Sequence, residues 1–370
     1  MELLNLVKGQ RIGSQGSGRF RLFGAHAPFP ALGSAPRSGV ADTELALERL
    51  GCRTEPASER MERLEDVAAA LRRGLPAATS AQAARLGHAV APADSLEPEL
   101  NRLDELAFRL ERDGVRASEI TWCAVPWCDP PARVFERVAR ALLTSHAVVV
   151  ASDERGPFLA EALANALVAS GWCSDSVALL HAPTDEAVVS AFELGATRLV
   201  GRADRGRVAR WKRVVERIAV DVPRARPRAV TCDDVHRAGG VERLAERLVG
   251  EALDDLGGQA HGTLGALHVE PAVFGPFEEV FVAAFERRAS TPGPLIDGEA
   301  CAAFRARLLG GLDEGATLVA GSVMDEPAVR RRRTLAPALF TNVEARGRLV
   351  RDDRPLPIAT LVRANSDLRP

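Results

Sequence analysis

From Ile120 onward, short continuous apolar runs alternate with stretches of helical periodicity. Ala147-Val148-Val149-Val150-Ala151 reads as a buried strand, Pro157 to Ser170 as a helix, and Ser176 to Leu180 as a strand. Thr184 to Leu194 then reads as a helix, with Thr197 to Val200 and Ile218 to Pro223 as further strands. Strands that are apolar on both faces and alternate with helices predict βαβ crossovers and a parallel sheet covered on both sides. Ahead of this region lie amphipathic helices: Asp42 to Leu50, Ser58 to Arg73 with Met61, Leu64, Val67, Ala68 and Leu71 on one face, and Leu96 to Arg112. Pro76 is expected to close the second of these. Residues 1 to 40, rich in Gly, Ser and Pro, read as an irregular or hairpin-forming arm.

Composition narrows the class. The chain has 370 residues, 46% hydrophobic and 26% charged, enough to bury a core in two packed domains. A formal net charge of −2 argues against nucleic acid or an anionic membrane as the main partner. The block Arg330-Arg331-Arg332-Arg333 reads as a solvated loop. No apolar run has the ~20 residues that a spanning helix needs, and the N-terminus lacks a signal-peptide pattern, so a cytoplasmic location is expected. The six cysteines form no compact framework and no Cys-x-x-Cys pair, so buried, reduced thiols are expected. Cys123 and Cys128 lack the second pair of ligands that a zinc site requires, and no metal is expected.

Several segments, taken in order, resemble the aldehyde dehydrogenase superfamily. Val125-Pro126-Trp127-Cys128-Asp129-Pro130, a helix and the strand to Ala151 are similar to Pro-Trp-Asn-x-Pro, helix, Val-Val-x-Lys-Pro-Ser-Glu. Leu199-Val200-Gly201-Arg202-Ala203-Asp204-Arg205-Gly206 resembles Phe-Thr-Gly-Ser-x-x-x-Gly, and Ile218 to Pro223 stands where the family has Leu-Glu-Leu-Gly-Gly. Gly257-Gly258-Gln259-Ala260-His261-Gly262 is similar to the loop Gly-Gln-x-Cys. Gly293 to Ile296, Gly315 to Gly321 and Leu335 to Leu339 extend the match. The resemblance implies a Rossmann-type domain over 1–222, bearing N-terminal helices, and a catalytic-like α/β domain over 223–370, C-terminally shortened.

By the same resemblance, Pro126, Trp127, Glu154, Gly201, Arg202 and Gly206 correspond to the cofactor site, and His261, Asp221, Cys128 and Gln259 to degenerate catalytic positions. NAD or NADP is the implied cofactor. A thiohemiacetal mechanism needs a thiolate nucleophile, an oxyanion donor, a carboxylate base and a bound nicotinamide. Here His261 replaces the nucleophile, Cys128 the oxyanion Asn, Asp221 the base Glu and Ala151 the ribose-binding Lys. His261 and Arg202 each have more than one reading. His261 fills a vacated pocket or caps a turn, or it is a base oriented by Asp221 in the former active-site cleft. Arg202 is a solvated charge at a helix start, an anion clamp, or a side chain filling the pyrophosphate cleft.

The expected function is therefore an aldehyde dehydrogenase-like pseudoenzyme, scaffold or subunit that binds itself, an intact homologue or a small ligand. The alternative is a divergent NAD(P)-dependent oxidoreductase or a non-redox enzyme working through His261 and Asp221.

Overall fold

The computed structural model describes residues 1–16, 18–23, 30–51, 55–88, 96–112, 119–172, 176–215, 218–290, 293–322 and 333–364. Cys52, Cys173 and Arg330 to Arg332 lie outside the described residues. The described residues fall into two compact units. The first holds Met1 to Arg85 and Leu96 to Val222; the second holds Leu86 to His88 and Pro223 to Ala364.

The N-terminal segment is built into the sheet rather than attached as an arm. β1 (Asn5–Val7) and β2 (Gln10–Ile12) form a hairpin whose two turn residues, Lys8 and Gly9, have φ of 51° and 70°. Two successive positive φ values suit the right-handed strand twist in a two-residue hairpin. β3 (Arg19–Phe23) and β4 (Ala31–Pro36) form a second, separate hairpin. Leu3, Leu6 and Val7 are all buried, which gives β1 its hold on the core.

Helices α1 (Val40–Arg49), α2 (Ala57–Leu86) and α3 (Glu97–Arg112) follow. α2 does not stop at Pro76; it runs ten residues further, with Pro76 inside it. A proline costs a helix interior about 3 kcal/mol. Burial of Leu75, Ala78 and Leu86 beyond or beside it offsets that cost, since a fully buried leucine contributes about 1.5–3 kcal/mol.

The alternating region then forms β5 (Ile120–Val125), α4 (Pro131–Thr144), β6 (Ala147–Ser152), α5 (Phe158–Ala169), β7 (Val177–His181), α6 (Asp185–Glu193), β8 (Arg198–Arg202), α7 (Arg205–Trp211) and β9 (Ile218–Asp221). These strands are parallel, and β1 adds antiparallel to β7, giving the order β2-β1-β7-β6-β5-β8-β9. Alternate residues serve the two faces, as the strand period of two requires. Cys123, Val125, Val148 and Val150 join α2, α4 and α5 in one core cluster. Trp122, Ala124, Val149 and Ala151 join α1, α6 and α7 in the other.

The second unit holds β10 (Arg226–Val230), α8 (Cys232–Ala238), α9 (Val241–Leu253), β11 (Leu264–Val269), α10 (Phe274–Ala289), β12 (Gly293–Pro294), α11 (Gly298–Asp313), β13 (Thr317–Ala320), β14 (Thr334–Leu335), β15 (Ala338–Thr341) and β16 (Ile358–Arg363). Five of these strands make a sheet ordered β10-β11-β16-β15-β13, parallel except for the antiparallel β13–β15 pair. α9 and α10 cover one face, with Phe277, Phe281 and Phe285 stacked along α10 against Leu244, Leu248 and Leu267. Phe304 and Leu308 of α11 pack with Phe340 and Ile358 in a separate cluster. No helix among the described residues is long and apolar enough to cross a membrane.

Candidate functional site

In the first unit the chain steps outward from β5 to β6 and β7, then returns to β8 on the opposite flank of β5. Open α/β sheets bind ligands at such a reversal, beyond the carboxyl ends of the strands. The residues that leave β5 there, from Val125 to Asp129, are all buried. Trp127 lies under the Arg155 guanidinium, 5.6 Å from the ring centroid, a cation–π contact. The Cys128 side chain is fully buried, and burial, reinforced by the neighbouring Asp129 carboxylate, pushes its thiol far up from its ordinary value. At neutral pH it is a protonated thiol in the core, which makes it a weak donor and a poor nucleophile.

Asp129 is the hub of this edge. Its buried carboxylate accepts from Arg137 of α4 at 2.5 Å and from Arg202 at the end of β8. The Arg202 pair spans the β5/β8 reversal. Arg202 is therefore not a solvated charge at a helix start; it lies in the last position of a strand, its side chain 13% exposed. A buried aspartate attracts the guanidinium inward because an unpaired carboxylate there would cost several kcal/mol. Two cations share one anion, and the Arg202 Nε is buried with no hydrogen-bond partner among the described residues.

A second cluster flanks the first. Arg155 chelates Asp153 at 2.9 and 2.7 Å and reaches Asp204 at 3.2 Å. Burial alone would raise the Asp153 carboxyl, but Arg155 more than reverses this and holds it below the usual carboxylate range. Glu154 faces outward and pairs with Arg37 at 3.1 Å, both about half exposed. Asp204 is the residue at the N-terminus of α7, and α7 is just seven residues long.

The two glycines of this segment differ in kind. Gly201 has φ of +125°, and a Cβ there would lie 2.1 Å from the Ala124 carbonyl oxygen on the adjacent strand. Gly206 has ordinary backbone, and its nearest neighbour would be the tip of Arg210 at 3.4 Å. The first is demanded by strand packing; nothing in the structure demands the second. Asp221, the expected base, ends β9 opposite Arg202, with an exposed side chain and its carbonyl accepting from the Ala203 N–H.

In the second unit, a short 3-10 turn at Leu256–Gly258 carries the chain from α9 to β11. Gly257 has φ of 61°, and a Cβ would strike the His88 ring at 2.2 Å. His88 Nε2 lies 2.7 Å from the Pro294 carbonyl. Gln259 is 2% exposed and works as a clasp: its amide N–H groups donate to the Leu256 and Pro294 carbonyls at 3.1 and 3.3 Å, and its Oε1 accepts from Ile296 N–H at 2.9 Å. Both ends of the amide are thereby committed to the loop. The half-buried His261 accepts the Arg224 backbone N–H on Nδ1 at 3.1 Å, while Gly262 N–H donates to the Arg224 carbonyl. An occupied Nδ1 lone pair fits the neutral ring with its proton on Nε2.

Several of the residues that shape these sites carried no motif. Arg137 and Arg155 are examples, as is Arg307, buried on α11 and donating to the Arg354 and Leu349 carbonyls; burial lowers its pKa to about 10. It underpins the Asp352-Asp353-Arg354 loop. Ser152 Oγ, His181 Nδ1 and, through His181 Nε2, Glu161 form a further buried chain at 2.9 and 3.3 Å. The signal for that chain was a matching position: Ser152 and His181 end adjacent strands in the same register and so share a face. Of the cysteines, Cys123, Cys128 and Cys301 are buried and free, whereas Cys232 is exposed, contrary to the expectation of uniform burial.

No protein-family model matches this sequence, and no curated protein matches it. Solved structures do match. The NAD-dependent aldehyde dehydrogenase from Sinorhizobium meliloti superposes with a TM-score of 0.82 at 15% identity, covering 99% of this chain and 78% of that one. The chain has the aldehyde dehydrogenase fold. A salicylaldehyde dehydrogenase from Pseudomonas putida G7, complexed with salicylaldehyde, gives 0.82 at 16% identity, with 99% and 81% covered. An indole-3-acetaldehyde dehydrogenase complexed with NAD+ gives 0.80 at 15%, with 99% and 80% covered. The fold expected from the order of the motifs is the one found.

Proposed function

We propose that this chain uses the aldehyde dehydrogenase fold for binding and does not oxidise aldehydes with a nicotinamide cofactor. One observation carries the reading: the Arg202–Asp129 ion pair spans the strand-order reversal of the first unit, where such a sheet would receive a dinucleotide's phosphates. The residues present do not fit that group. The Arg202 and Arg155 guanidinium groups are already engaged by Asp129 and by Asp153 and Asp204, so a pyrophosphate would have to displace those pairs to be held there. α7 is too short to present a strong helix terminus to it.

The candidate nucleophiles support the same reading. His261 stands at the thiol position of the loop, with Nδ1 engaged by Arg224, and Cys128 is a buried thiol. Gln259 is spent on holding the loop to Ile296. A second reading has one observation in its favour: the unsatisfied Arg202 Nε and the excess cation around Asp129 suit an incoming anion, so that Arg202 clamps a nucleotide phosphate in a divergent oxidoreductase.

The activity test is rapid mixing of the purified protein with NAD or NADP and a panel of aliphatic and aromatic aldehydes, with 340 nm absorbance as the readout. Neither a burst nor steady turnover above the protein-free rate is expected. A burst of reduced cofactor abolished by thiol alkylation would overturn the proposal, because one of the cysteines would then be the nucleophile.

A further inference from the structure

Away from the strand ends, a trough of about 370 Å³ lies between α2 and α5 of the first unit. Small side chains make much of its walls, with Gly74, Ala77 and Ala78 on α2 facing Ala162 and Ala166 on α5, and Met1 and Phe158 add larger apolar surface. The space is maintained against helix stability. Gly74 lies mid-helix with ordinary backbone, and a Cβ there would meet no atom within 4 Å. Alanine at that place would favour the helix, so the bare position leaves room and gives the helix nothing.

The charges at the trough are unequal. Glu161 on its wall is matched by Arg11 at 2.9 Å and by His181 at 3.3 Å. Burial alone would raise that carboxyl, but these two partners hold it below its usual range, so it stays ionised and compensated. Arg73 at the mouth is exposed and has no acidic partner among the described residues. The other arginines of α2 are all engaged: Arg60 with carbonyls of Leu142, Leu143 and Ser145, Arg63 with Glu55, Arg72 with Glu97 and Arg85 with the Phe23 carbonyl. The positions three and four residues from Arg73 on its own helix are Ala69, Ala70, Pro76 and Ala77, none of them charged.

From the apolar trough and the unmatched guanidinium at its mouth, we propose that this is a binding site for a medium-chain monocarboxylate, with its chain between α2 and α5 and its carboxylate on Arg73. A volume of this size lies within the range of small-molecule pockets and holds an apolar body of about ten carbons. One free guanidinium matches one carboxylate in bidentate fashion. The site is separate from the strand ends, and the inference stands or falls independently of the proposed loss of aldehyde oxidation.

The test is calorimetric titration of the full chain with decanoate, beside decanol as an uncharged probe. Decanoate is expected to bind with one-to-one stoichiometry, more tightly than decanol, and to weaken as salt is raised. Arg73→Gln is expected to weaken decanoate about threefold to fivefold and to bring it level with decanol. Gly74→Leu, which fills the trough while favouring the helix, is expected to abolish binding of both probes without lowering the melting temperature, and Ala77→Met gives a second, milder obstruction. Absence of saturable decanoate binding, equal binding in Gly74→Leu, or an unchanged affinity in Arg73→Gln would each overturn the proposal.

Discussion

Gly201 shows how one residue can be fixed by backbone packing and still look like part of a motif. Its positive φ and the 2.1 Å approach of a Cβ to the Ala124 oxygen both exclude a side chain. Gly201→Ala is predicted to destabilise the first unit by about 3 kcal/mol or more, read as a lower urea midpoint; a change within 0.5 kcal/mol would contradict the strand geometry. Asp153 makes a prediction in pH. Its folded pKa is depressed, so its contribution is fully present above its unfolded value of about 3.9 and is lost as pH falls through the folded value. The stability gap between the protein and Asp153→Asn is therefore expected to be largest near neutrality and to shrink below about pH 4. A gap independent of pH would show that Arg155 does not hold the carboxylate. Gly201 was legible in the sequence as part of the Gly-Arg motif. Arg137 and Arg155 were not, because in a chain this rich in arginine no single charge stands out before the strands bring partners together.

At the scale of elements, the buried parallel strands and their covering helices were legible, since continuous apolar runs of five residues have few other homes. The N-terminal hairpin was expected, but its place at the edge of the sheet was not. β1 is three residues long, too short for alternation to register, and its partner β7 lies more than 160 residues away. α2 was expected to end at Pro76 because a local rule was applied where tertiary burial overrides it. Pro76→Ala is predicted to raise the stability of the first unit by about 1–3 kcal/mol, as a free backbone N–H returns to the helix. A loss of stability would mean that the proline shapes a needed bend. In the loop of the second unit, Gln259→Leu should leave the Ile296 N–H without its acceptor. Hydrogen exchange at Ile296 is then expected to accelerate at least tenfold, in keeping with about 1–3 kcal/mol for an unsatisfied buried amide, while protection of Val269 in β11 stays as it was. Unchanged exchange at Ile296 would remove the clasp role.

For the whole molecule, the order of weak motifs carried the fold further than any single one did. Pro-Trp, Gly-Arg and Gly-Gln fragments are each common, but their succession along the chain matches structures at 14–16% identity. The site was less legible, because substitutions at its key positions show what was replaced and not how the replacements pair. His261→Cys alone is predicted to leave NAD-linked aldehyde oxidation at background, because Cys128 remains a buried thiol and the Arg202–Asp129 pair remains at the strand ends. Recovery of turnover in that variant would place the whole deficit at one residue.

The most direct measurement of the central claim is nucleotide binding by calorimetry to the wild-type protein and to Arg202→Ser, using NAD and NADP in parallel. If Arg202 and Asp129 close the strand ends, the wild type gives no heat of binding and the variant binds weakly, gaining affinity as the guanidinium is removed. Tight binding to the wild type that is lost in Arg202→Ser would contradict the account and make Arg202 the clamp of a working cofactor site.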